Sequence, residues 1–333
     1  MQTIKNFTSK VKGWVNLALR KRRKIQGYLG QAVVYILLIT VSYVFLYPLF
    51  NMISLSFMSP QDVINPEVDW IPKSFYFGNF TGSLEVLNGF STFFNSFWFS
   101  TILAVSQTIV SAMTGFAFAR YEFSGKKILF GMILVSFIVP VPIILIPRIM
   151  MIVNTQEWMQ SNLAFIEPLW SMQLMGTPIP QIVFALLGQG VNSAILILIF
   201  YNFFRLIPPA LYEAARIDGA GPFAQFYHIT IRMSFSTIVV VFLFSFVWNW
   251  NETYITGLLL SEGLQLLPTQ LGAFDSLFTS RPPSVPGLGG TAQNNEAFKM
   301  AATFITMLPL FILYAFAQKQ FIEGIEQTGI TGE

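Results

Sequence analysis

The residues best suited to polar chemistry lie in one charged stretch, 205–222, between two apolar stretches of the chain. Glu213 and Asp218 offer carboxylates to an arginine or lysine of another protein. Ala214 and Ala215 have small side chains, so another backbone could approach closely between the two acids. This combination is typical of a docking surface and not of bond-making chemistry. A solvated connector with incidental charges is the alternative interpretation.

The local sequence predicts two short helices in this stretch. Pro208 and Pro209 suit the start of the first helix. Glu213 is expected in its first turn, where the helix dipole favours an acid. Gly219 is expected to end the first helix, and a second helix is expected to begin at Gly221.

Few other residues suggest catalysis or metal binding. The sequence has no cysteine and a single histidine, His228, so it predicts no disulfide and no thiolate or histidine-paired metal site. Ser124 to Lys127 resemble the end of a phosphate-binding loop, but Arg120 stands where the first glycine of that loop belongs. We therefore predict no catalytic residue, no resident metal and no nucleotide site in this chain.

Composition indicates a membrane protein. Hydrophobic residues make up 54% of the sequence and charged residues 11%, whereas soluble domains average about 25% charged residues. A helix needs about 20 apolar residues to cross the hydrocarbon core of a bilayer. We predict an all-α membrane protein with about six transmembrane helices, at residues 29–57, 91–119, 128–150, 177–204, 235–260 and 297–318. Gly188 to Asn192 interrupt the fourth stretch, as is tolerated where helices pack tightly or line a cavity.

Lysine and arginine residues predict the orientation. With the amino terminus inside, 15 of the 19 fall on the cytoplasmic side, and the four outside are Lys73, Arg148, Arg281 and Lys299. The positive-inside rule then places both termini and the 205–234 loop in the cytoplasm, in a multi-pass protein of the cytoplasmic membrane. Because topology accounts for the basic residues, nucleic acid is not an expected partner.

The same topology divides the chain into two parts. Residues 1–28, with a basic run from Arg20 to Lys24, are predicted to form a cytoplasmic interfacial helix on the lipid bilayer. Residues 29–333 are predicted to form a single transmembrane domain. Its external loops are expected at 58–90, 151–176 and 261–296.

Residues Glu213 to Ala220 read Glu-Ala-Ala-Arg-Ile-Asp-Gly-Ala. This segment resembles the EAA signature of the permease subunits of binding-protein-dependent ABC importers. In that family, which has the type I importer permease fold, the segment forms coupling helices between spans 4 and 5 and docks on a cytoplasmic ATPase. The resemblance implies this role for Glu213, Ala214, Ala215, Arg216, Asp218, Gly219 and Ala220.

Further motifs resemble the carbohydrate branch of the family, which includes the maltose-type and oligosaccharide permeases. They are Asn95-Ser96, Gly115 to Arg120 with Phe123 and Gly125, the prolines 140, 142 and 147, Trp250-Asn251-Glu252, Leu267-Pro268, and Pro309 with Gln318, Phe321 and Gly324. The similarity covers about residues 29–330. It implies a second permease subunit, two ATPase subunits that bind ATP and magnesium, and an extracytoplasmic solute-binding protein.

The sequence departs from the family pattern at three places. Ile231 to Phe235 replace the usual Leu-Pro, which would relax the bend back into the membrane. The external segment 151–176 is longer than usual and is expected to cap the translocation path or rest on the membrane face. Arg281 to Gly290 are rich in proline and glycine and are expected to lack regular structure.

Polar and aromatic residues within the spans are candidates for the translocation path, because such groups usually face the interior of a bundle. The candidates are Asn51, Gln107, Asn202, Trp248, Asn249 and Asn251. Hydrogen bonding between helices is the alternative role for them.

Three other functions remain to be weighed against a sugar importer. A permease for a non-sugar solute and a non-transporting scaffold or sensor are both compatible with a docking loop. A channel or secondary transporter is disfavoured, because the spans carry almost no charged relay residues.

Overall fold

A computed structural model describes residues 30–162, 173–260, 263–284 and 296–329, with side chains up to residue 320. The predicted interfacial helix at 1–28 lies outside these residues. All regular structure within the described ranges is helical. The helices are α1 (Gly30–Ser56), α2 (Pro60–Val63), α3 (Gly78–Val86), α4 (Gly89–Arg120), α5 (Lys126–Ile138), α6 (Val141–Asn162), α7 (Ile179–Leu186), α8 (Ser193–Leu206), α9 (Pro209–Ile217), α10 (Pro222–Gln225), a π-helix (Phe226–Ile231), α11 (Phe235–Asn251), α12 (Tyr254–Leu260), α13 (Leu267–Gly272), α14 (Phe274–Ser280) and α15 (Glu296–Gly329).

Among these helices, α1, α4 and α15 are each long and apolar enough to cross a membrane. They match the stretches predicted at 29–57, 91–119 and 297–318. Up to six spans result if each of three sharply bent helix pairs counts as one span. These pairs are α5 with α6, α8 with α9, and the segment Pro222–Ile231 with α11. The six-span prediction is therefore compatible with the fold, although α9 and Pro222–Ile231 belong to the loop predicted at 205–234.

The predicted span 128–150 is bent because of a proline. Helices α5 and α6 meet at 107°, and Val139 and Pro140 lie between them. Proline has no N–H to donate, and it disfavours helical geometry at the residue before it. Val139 is accordingly extended, with ψ 122°.

The predicted spans 177–204 and 235–260 are also interrupted. Between α7 and α8, Gly188 and Asn192 have positive φ values of 72° and 53°, so no continuous helix can pass through this turn. Between α11 and α12, the carboxylate of Glu252 accepts hydrogen bonds from the N–H groups of Ile255 (2.7 Å) and Thr256 (2.8 Å). Glu252 thus caps the start of α12, and the sequence prediction missed this second break.

Helix α6 continues into the segment predicted as an external loop. It runs on to Asn162, where it reaches the end of the first described range. Ile152 of α6 is buried in an apolar cluster with Leu174 and Ile255. Gln156 of α6 also accepts a 2.9 Å hydrogen bond from the N–H of Leu174. This part of the 151–176 segment therefore packs against the bundle.

Helix α4 is the centre of the bundle. It contacts α3, α7, α8, α11 and α13. Small side chains repeat at every fourth position on one buried stripe of α4: Ser96, Ser100, Ala104, Thr108 and Ala112. A stripe of small residues lets neighbouring helix backbones approach closely, which favours packing within a membrane.

One fully buried glutamine joins three elements at this centre. The Nε2 of Gln107 on α4 donates to the carbonyl of Val191 (3.1 Å) and to the Oγ of Ser193 (3.3 Å). Its Oε1 accepts from the Nδ2 of Asn249 (2.8 Å) and from the Oγ of Ser245. Gln107 therefore ties α4 to α8, to α11 and to the turn between α7 and α8.

Replacing Gly190 by alanine should loosen this junction. A Cβ at Gly190 would lie 1.8 Å from the Nε2 of Gln107, which is held by hydrogen bonds on both sides. We expect Gly190→Ala to lower the free energy of unfolding by about 1–3 kcal/mol, as overpacking does. Thermal unfolding of the purified protein in detergent would measure the loss.

The matched control is Gly131→Ala in α5. A Cβ at Gly131 would meet nothing within 4 Å, and alanine favours a helix, so this variant should melt at the same or a higher temperature. Equal melting temperatures for the two variants would contradict the role assigned to Gly190.

Candidate functional site

The 205–234 loop leaves the bundle and returns to it through two sharp bends. Helices α8 and α9 meet at 75°, and the segment Pro222–Ile231 meets α11 at 87°. Pro208 is the N-cap residue of α9 and Pro209 its first residue, as predicted. Ile207 is extended, with ψ 127°, as expected for a residue before proline.

Gly219 ends α9, as predicted. Its φ is 82°, in the left-handed region. The N–H of Ala220 bonds to the carbonyl of Ala215 (2.8 Å), and the N–H of Gly219 bonds to that of Arg216 (3.0 Å). These two bonds form a Schellman motif, which favours glycine at this position. Gly221 then caps α10, the predicted second helix.

The expectation for Glu213 within α9 is wrong. The helix begins at Pro209, so Glu213 is its fifth residue, and the first turn contains no acidic residue. The helix dipole acts mainly within the first turn, so it contributes little at Glu213. The Glu213 side chain is instead exposed on the surface of the loop.

The residues implied in docking lie together on this surface. We call them, with the nearby apolar side chains Ile217 and Phe223, the loop tip. Glu213, Ala214, Arg216, Asp218 and Gly219 are exposed, whereas Ala215 and Ala220 are half-buried. Ile217 is 87% exposed and Phe223 75% exposed. These two residues are not among those predicted for docking, although an isoleucine among the charged residues of Glu213 to Asp218 could have indicated an apolar contact.

Tyr212 anchors the loop tip to the bundle. Its side chain is 4% exposed and lies in an apolar cluster with Phe116 and Phe204. Its hydroxyl is 2.9 Å from the Oγ1 of Thr230 in the π-helix. The outgoing and returning halves of the loop are therefore joined below the exposed surface.

Arg120, the last residue of α4, forms hydrogen bonds with backbone carbonyls at the bend between α8 and α9. Its guanidinium donates to the carbonyls of Phe204 and Ile207, where α8 ends. The same group lies 4.2 Å from the ring centroid of Tyr212, a cation–π contact. Carbonyls at a helix end lack partners within the helix, so one arginine both pairs them and holds α9.

The return bend is sharp without the proline of the family pattern. The π-helix Phe226–Ile231 precedes it, and the Oγ of Ser234 donates to the carbonyl of Thr230. Gln225 also donates from Nε2 to the carbonyl of Ala220 (2.8 Å). A π-helix and side-chain bonds to the backbone are known causes of kinks. The expected relaxation at 231–235 does not occur.

Two of the six path candidates lie together. Gln107 and Asn249 are hydrogen-bonded and buried, in the interhelical arrangement that the sequence analysis held as the alternative. The structure does not bring the other four into that cluster. Asn51 is half-buried on α1, Asn202 and Asn251 are exposed, and Trp248 stacks on Phe244 at 5.5 Å. A role in the path stays a prediction for all six.

Within the described residues, the contacts of His228 are with its neighbours in sequence, including an edge-on ring contact with Tyr227 at 5.1 Å. His228 is exposed, and its Nδ1 is 3.1 Å from the carbonyl of Ala224, one turn earlier. In the part of the chain that the structure describes, no group of three or more histidine, aspartate or glutamate residues could hold a metal ion.

Comparison with known protein families identifies the family of the chain that carries this loop. The sequence model of the family described as "binding-protein-dependent transport system inner membrane component" matches residues 109–327, more than half of the chain and all of the 205–234 loop. This chain belongs to that family. The members of this family are permease subunits of ABC importers, as the resemblance to the EAA signature implied.

Relatives match over most of their length. The arabinooligosaccharides transport system permease protein AraQ of Halalkalibacterium halodurans is 24% identical over 295 residues, which cover 88% of this chain and 93% of AraQ. The sn-glycerol-3-phosphate transport system permease protein UgpE of Pectobacterium atrosepticum is 26% identical over 286 residues, 84% of this chain and 90% of UgpE. A chain in the solved structure of a bacterial ABC transporter involved in the import of the acidic polysaccharide alginate has the same fold. The TM-score is 0.68 and the sequence identity 18%, and the match covers 88% of this chain and 96% of that chain.

Removing the guanidinium of Arg120 should loosen the loop. In Arg120→Met the carbonyl of Ile207 loses the guanidinium donor, the carbonyl of Phe204 keeps only a 3.4 Å bond from the N–H of Ile207, and Tyr212 loses its cation. We expect the free energy of unfolding to fall by about 1–3 kcal/mol, the cost of unpaired buried polar groups. Limited proteolysis of the loop should also become faster.

Arg205→Met is the control, because the Arg205 side chain is exposed and both its hydrogen bond and its cation–π contact are with Tyr201, one turn earlier in the same helix. Its melting temperature and proteolysis rate should match those of the unmodified permease. If Arg120→Met behaves like Arg205→Met, Arg120 does not hold the loop.

Proposed function

We propose that this permease is one of two membrane subunits of an importer for a carbohydrate, in which the loop tip docks on a separate ATPase. The observation that carries the proposal is the loop tip itself. It presents two acids, an arginine and two exposed apolar side chains on a surface that Tyr212 and Arg120 hold to the bundle. Charged groups beside apolar anchors are the composition of a protein interface.

The anchoring of the loop explains how movement would pass into the membrane. An ATPase that pulls on α9 also pulls on Tyr212 and, through Arg120, on the ends of α4 and α8. Helix α4 carries the displacement to Gln107, which is bonded to α8, α11 and the α7–α8 turn. Helices α4, α8 and α11 would therefore move together, as in the rigid-body rotations of other domains.

The names of relatives support a sugar-like substrate. AraQ is named for arabinooligosaccharides and UgpE for sn-glycerol-3-phosphate, and both solutes are rich in hydroxyl groups. We propose an oligosaccharide, delivered by an extracytoplasmic binding protein, with ATP and magnesium held by the two ATPase subunits. The path candidates in this permease are Asn51, Gln107, Asn202, Trp248, Asn249 and Asn251.

The exposed apolar surface of α1 supports a membrane assembly with a second permease. Large apolar side chains from Val33 to Phe50 are exposed along α1. Such a surface is stable against lipid or against another membrane helix. We propose a cytoplasmic-membrane location with both termini in the cytoplasm, in keeping with the distribution of lysine and arginine.

Reversing one charge at the loop tip tests the coupling role. We expect Glu213→Lys to reduce ATP-dependent sugar uptake at least tenfold in liposomes that contain both permeases, the ATPases and the binding protein, measured with the oligosaccharide, neutral or acidic, that the unmodified importer accumulates. The permease itself should stay folded, because Glu213 is exposed.

Glu67→Lys is the matched control, since Glu67 is an exposed acid in the predicted external loop 58–90. Its uptake should match that of the unmodified importer. Equal uptake by both variants would remove the loop tip from the mechanism. ATPase binding without solute-stimulated hydrolysis by the unmodified complex would favour a scaffold.

The apolar part of the loop tip should contribute affinity for the ATPase. Ile217 exposes 87% of its surface, and burying an isoleucine in an interface contributes about 1.5–3 kcal/mol. Ile217→Ser should therefore weaken ATPase binding by about tenfold or more, measured as the Kd for the purified subunits in detergent. Ile217→Val should bind nearly as tightly as the unmodified permease, and a Kd unchanged by serine would place Ile217 outside the interface.

A further inference from the structure

Arg148 is a half-buried cation inside the broken span formed by α5 and α6. Its Nη2 donates to the carbonyl of Gln189 (2.6 Å), and its guanidinium lies 5.1 Å from the ring centroid of Phe184. No carboxylate of the described residues lies within 4.0 Å of this guanidinium. Charged groups in a membrane bundle are costly and usually mark a substrate or ion pathway.

The guanidinium borders a cavity of about 320 Å³ between the α5–α6 bend and the α7–α8 turn. Among the residues that the structure describes, Arg148 is the one charged side chain in the lining of this cavity, and no acidic residue lines it. Ser136, Gln189, Asn192 and Ser193 supply further polar groups. A volume near 300 Å³ is at the small end of ligand sites, which combine apolar walls with a few placed polar groups.

A second, smaller cavity of about 30 Å³ shares Arg148 with the first and is lined by an unpaired donor. Gln181 is 9% exposed, and its Nε2 has no hydrogen-bond partner among the described residues. Gln181, Arg148 and Asn249 all line this smaller cavity. Asn249 donates to Gln107, and Ser193, which lines the larger cavity, accepts from it, so both cavities adjoin the cluster at the centre of the bundle.

The acid nearest to this arrangement is engaged elsewhere. Glu252 lines the smaller cavity, but its carboxylate accepts from the N–H groups of Ile255 and Thr256 and from the Oγ1 of Thr256. These bonds hold it at the start of α12. Glu252 does not line the larger cavity, so no described acidic side chain competes there for the N–H donors of Arg148.

We infer that the cavity beside Arg148 binds an anionic group, a carboxylate or a phosphate, carried by a transported sugar. A guanidinium has five N–H donors and pairs with carboxylate and phosphate in a two-pronged geometry. The bond to Gln189 uses one donor, and the amide and hydroxyl groups of the lining suit sugar hydroxyls. The inference rests on the proposed importer function and narrows its substrate to acidic or phosphorylated sugars.

Binding to the purified complex in detergent tests the inference without requiring transport. The probes are D-glucuronate, D-glucose 6-phosphate and neutral D-glucose, with Kd measured by the shift in thermal unfolding. We expect at least one of the two anionic sugars to bind about tenfold or more tightly than glucose, which corresponds to about 1.4 kcal/mol. The stronger of them identifies the carboxylate or the phosphate as the source of the anion.

Variants of Arg148 separate binding from a structural role. Arg148→Gln should abolish the preference for the anionic sugar, whereas Arg148→Lys should keep part of it, because lysine retains the charge but not the planar fork. Lys73→Gln removes one positive charge from an exposed external position and should keep the full preference. A structural role alone would lower the melting temperature of Arg148→Gln without changing the ratio of the two Kd values.

Three results would overturn the inference. The first is equal Kd values for anionic and neutral sugars in the unmodified complex, and the second is a preference for the anionic sugar that persists in Arg148→Gln. The third is binding of phosphatidylglycerol in the cavity that neither anionic sugar displaces. A reconstituted importer that accumulates neutral oligosaccharide but shows no anion preference would leave the proposed function intact. A complex that prefers the anionic sugar but never accumulates any sugar would instead contradict the proposed function.

Discussion

The structure depends on pairing the backbone groups that are freed where its spans break. A membrane interior offers no water to those groups, so each break needs a side chain or a neighbouring backbone. Arg120 donates to the carbonyls at the α8–α9 bend, and Gln107 and Arg148 donate to carbonyls in the α7–α8 turn. Glu252 accepts from the N–H groups that begin α12. The first role of these polar residues is therefore to hydrogen-bond with backbone groups where a helix ends or begins.

This pairing also connects the exposed loop with the middle of the bundle. Gln107 and Arg120 both belong to α4 and are 13 residues apart, which in a helix is about 20 Å. Gln107 contacts the break between α7 and α8, and Arg120 contacts the bend between α8 and α9, so α4 has one contact at the loop and another at the centre. Small residues along α4 allow close packing against its neighbours. Under the proposed docking, a load on α9 would pass to the bundle interior through Tyr212, Arg120 and α4.

The sequence predicted what local rules decide. The start and end of α9 follow from Pro208, Pro209 and Gly219, and the break at Gly188 to Asn192 follows from its glycines, because these residues act through their own backbone. It could not predict the break at Glu252 or the extension of α6 to Asn162. It also could not reveal that Tyr212 lies beneath Arg120, since that contact joins residues far apart in the chain. Long-range contacts of this kind leave no periodic signal.

Polarity, by which the path candidates are predicted, does not show how many hydrogen bonds the protein itself already makes. Gln107 has both polar atoms of its side chain engaged with protein partners, so it has little left to offer a solute. Arg148 is different because its guanidinium carries more donors than the carbonyl of Gln189 can accept, and because it faces a cavity that no acid lines. A polar residue in a span is thus a candidate for substrate contact when it has more hydrogen-bond donors or acceptors than the protein itself already uses. By that criterion Arg148, which sequence analysis counted only as a charge on the outer side, ranks ahead of the amides.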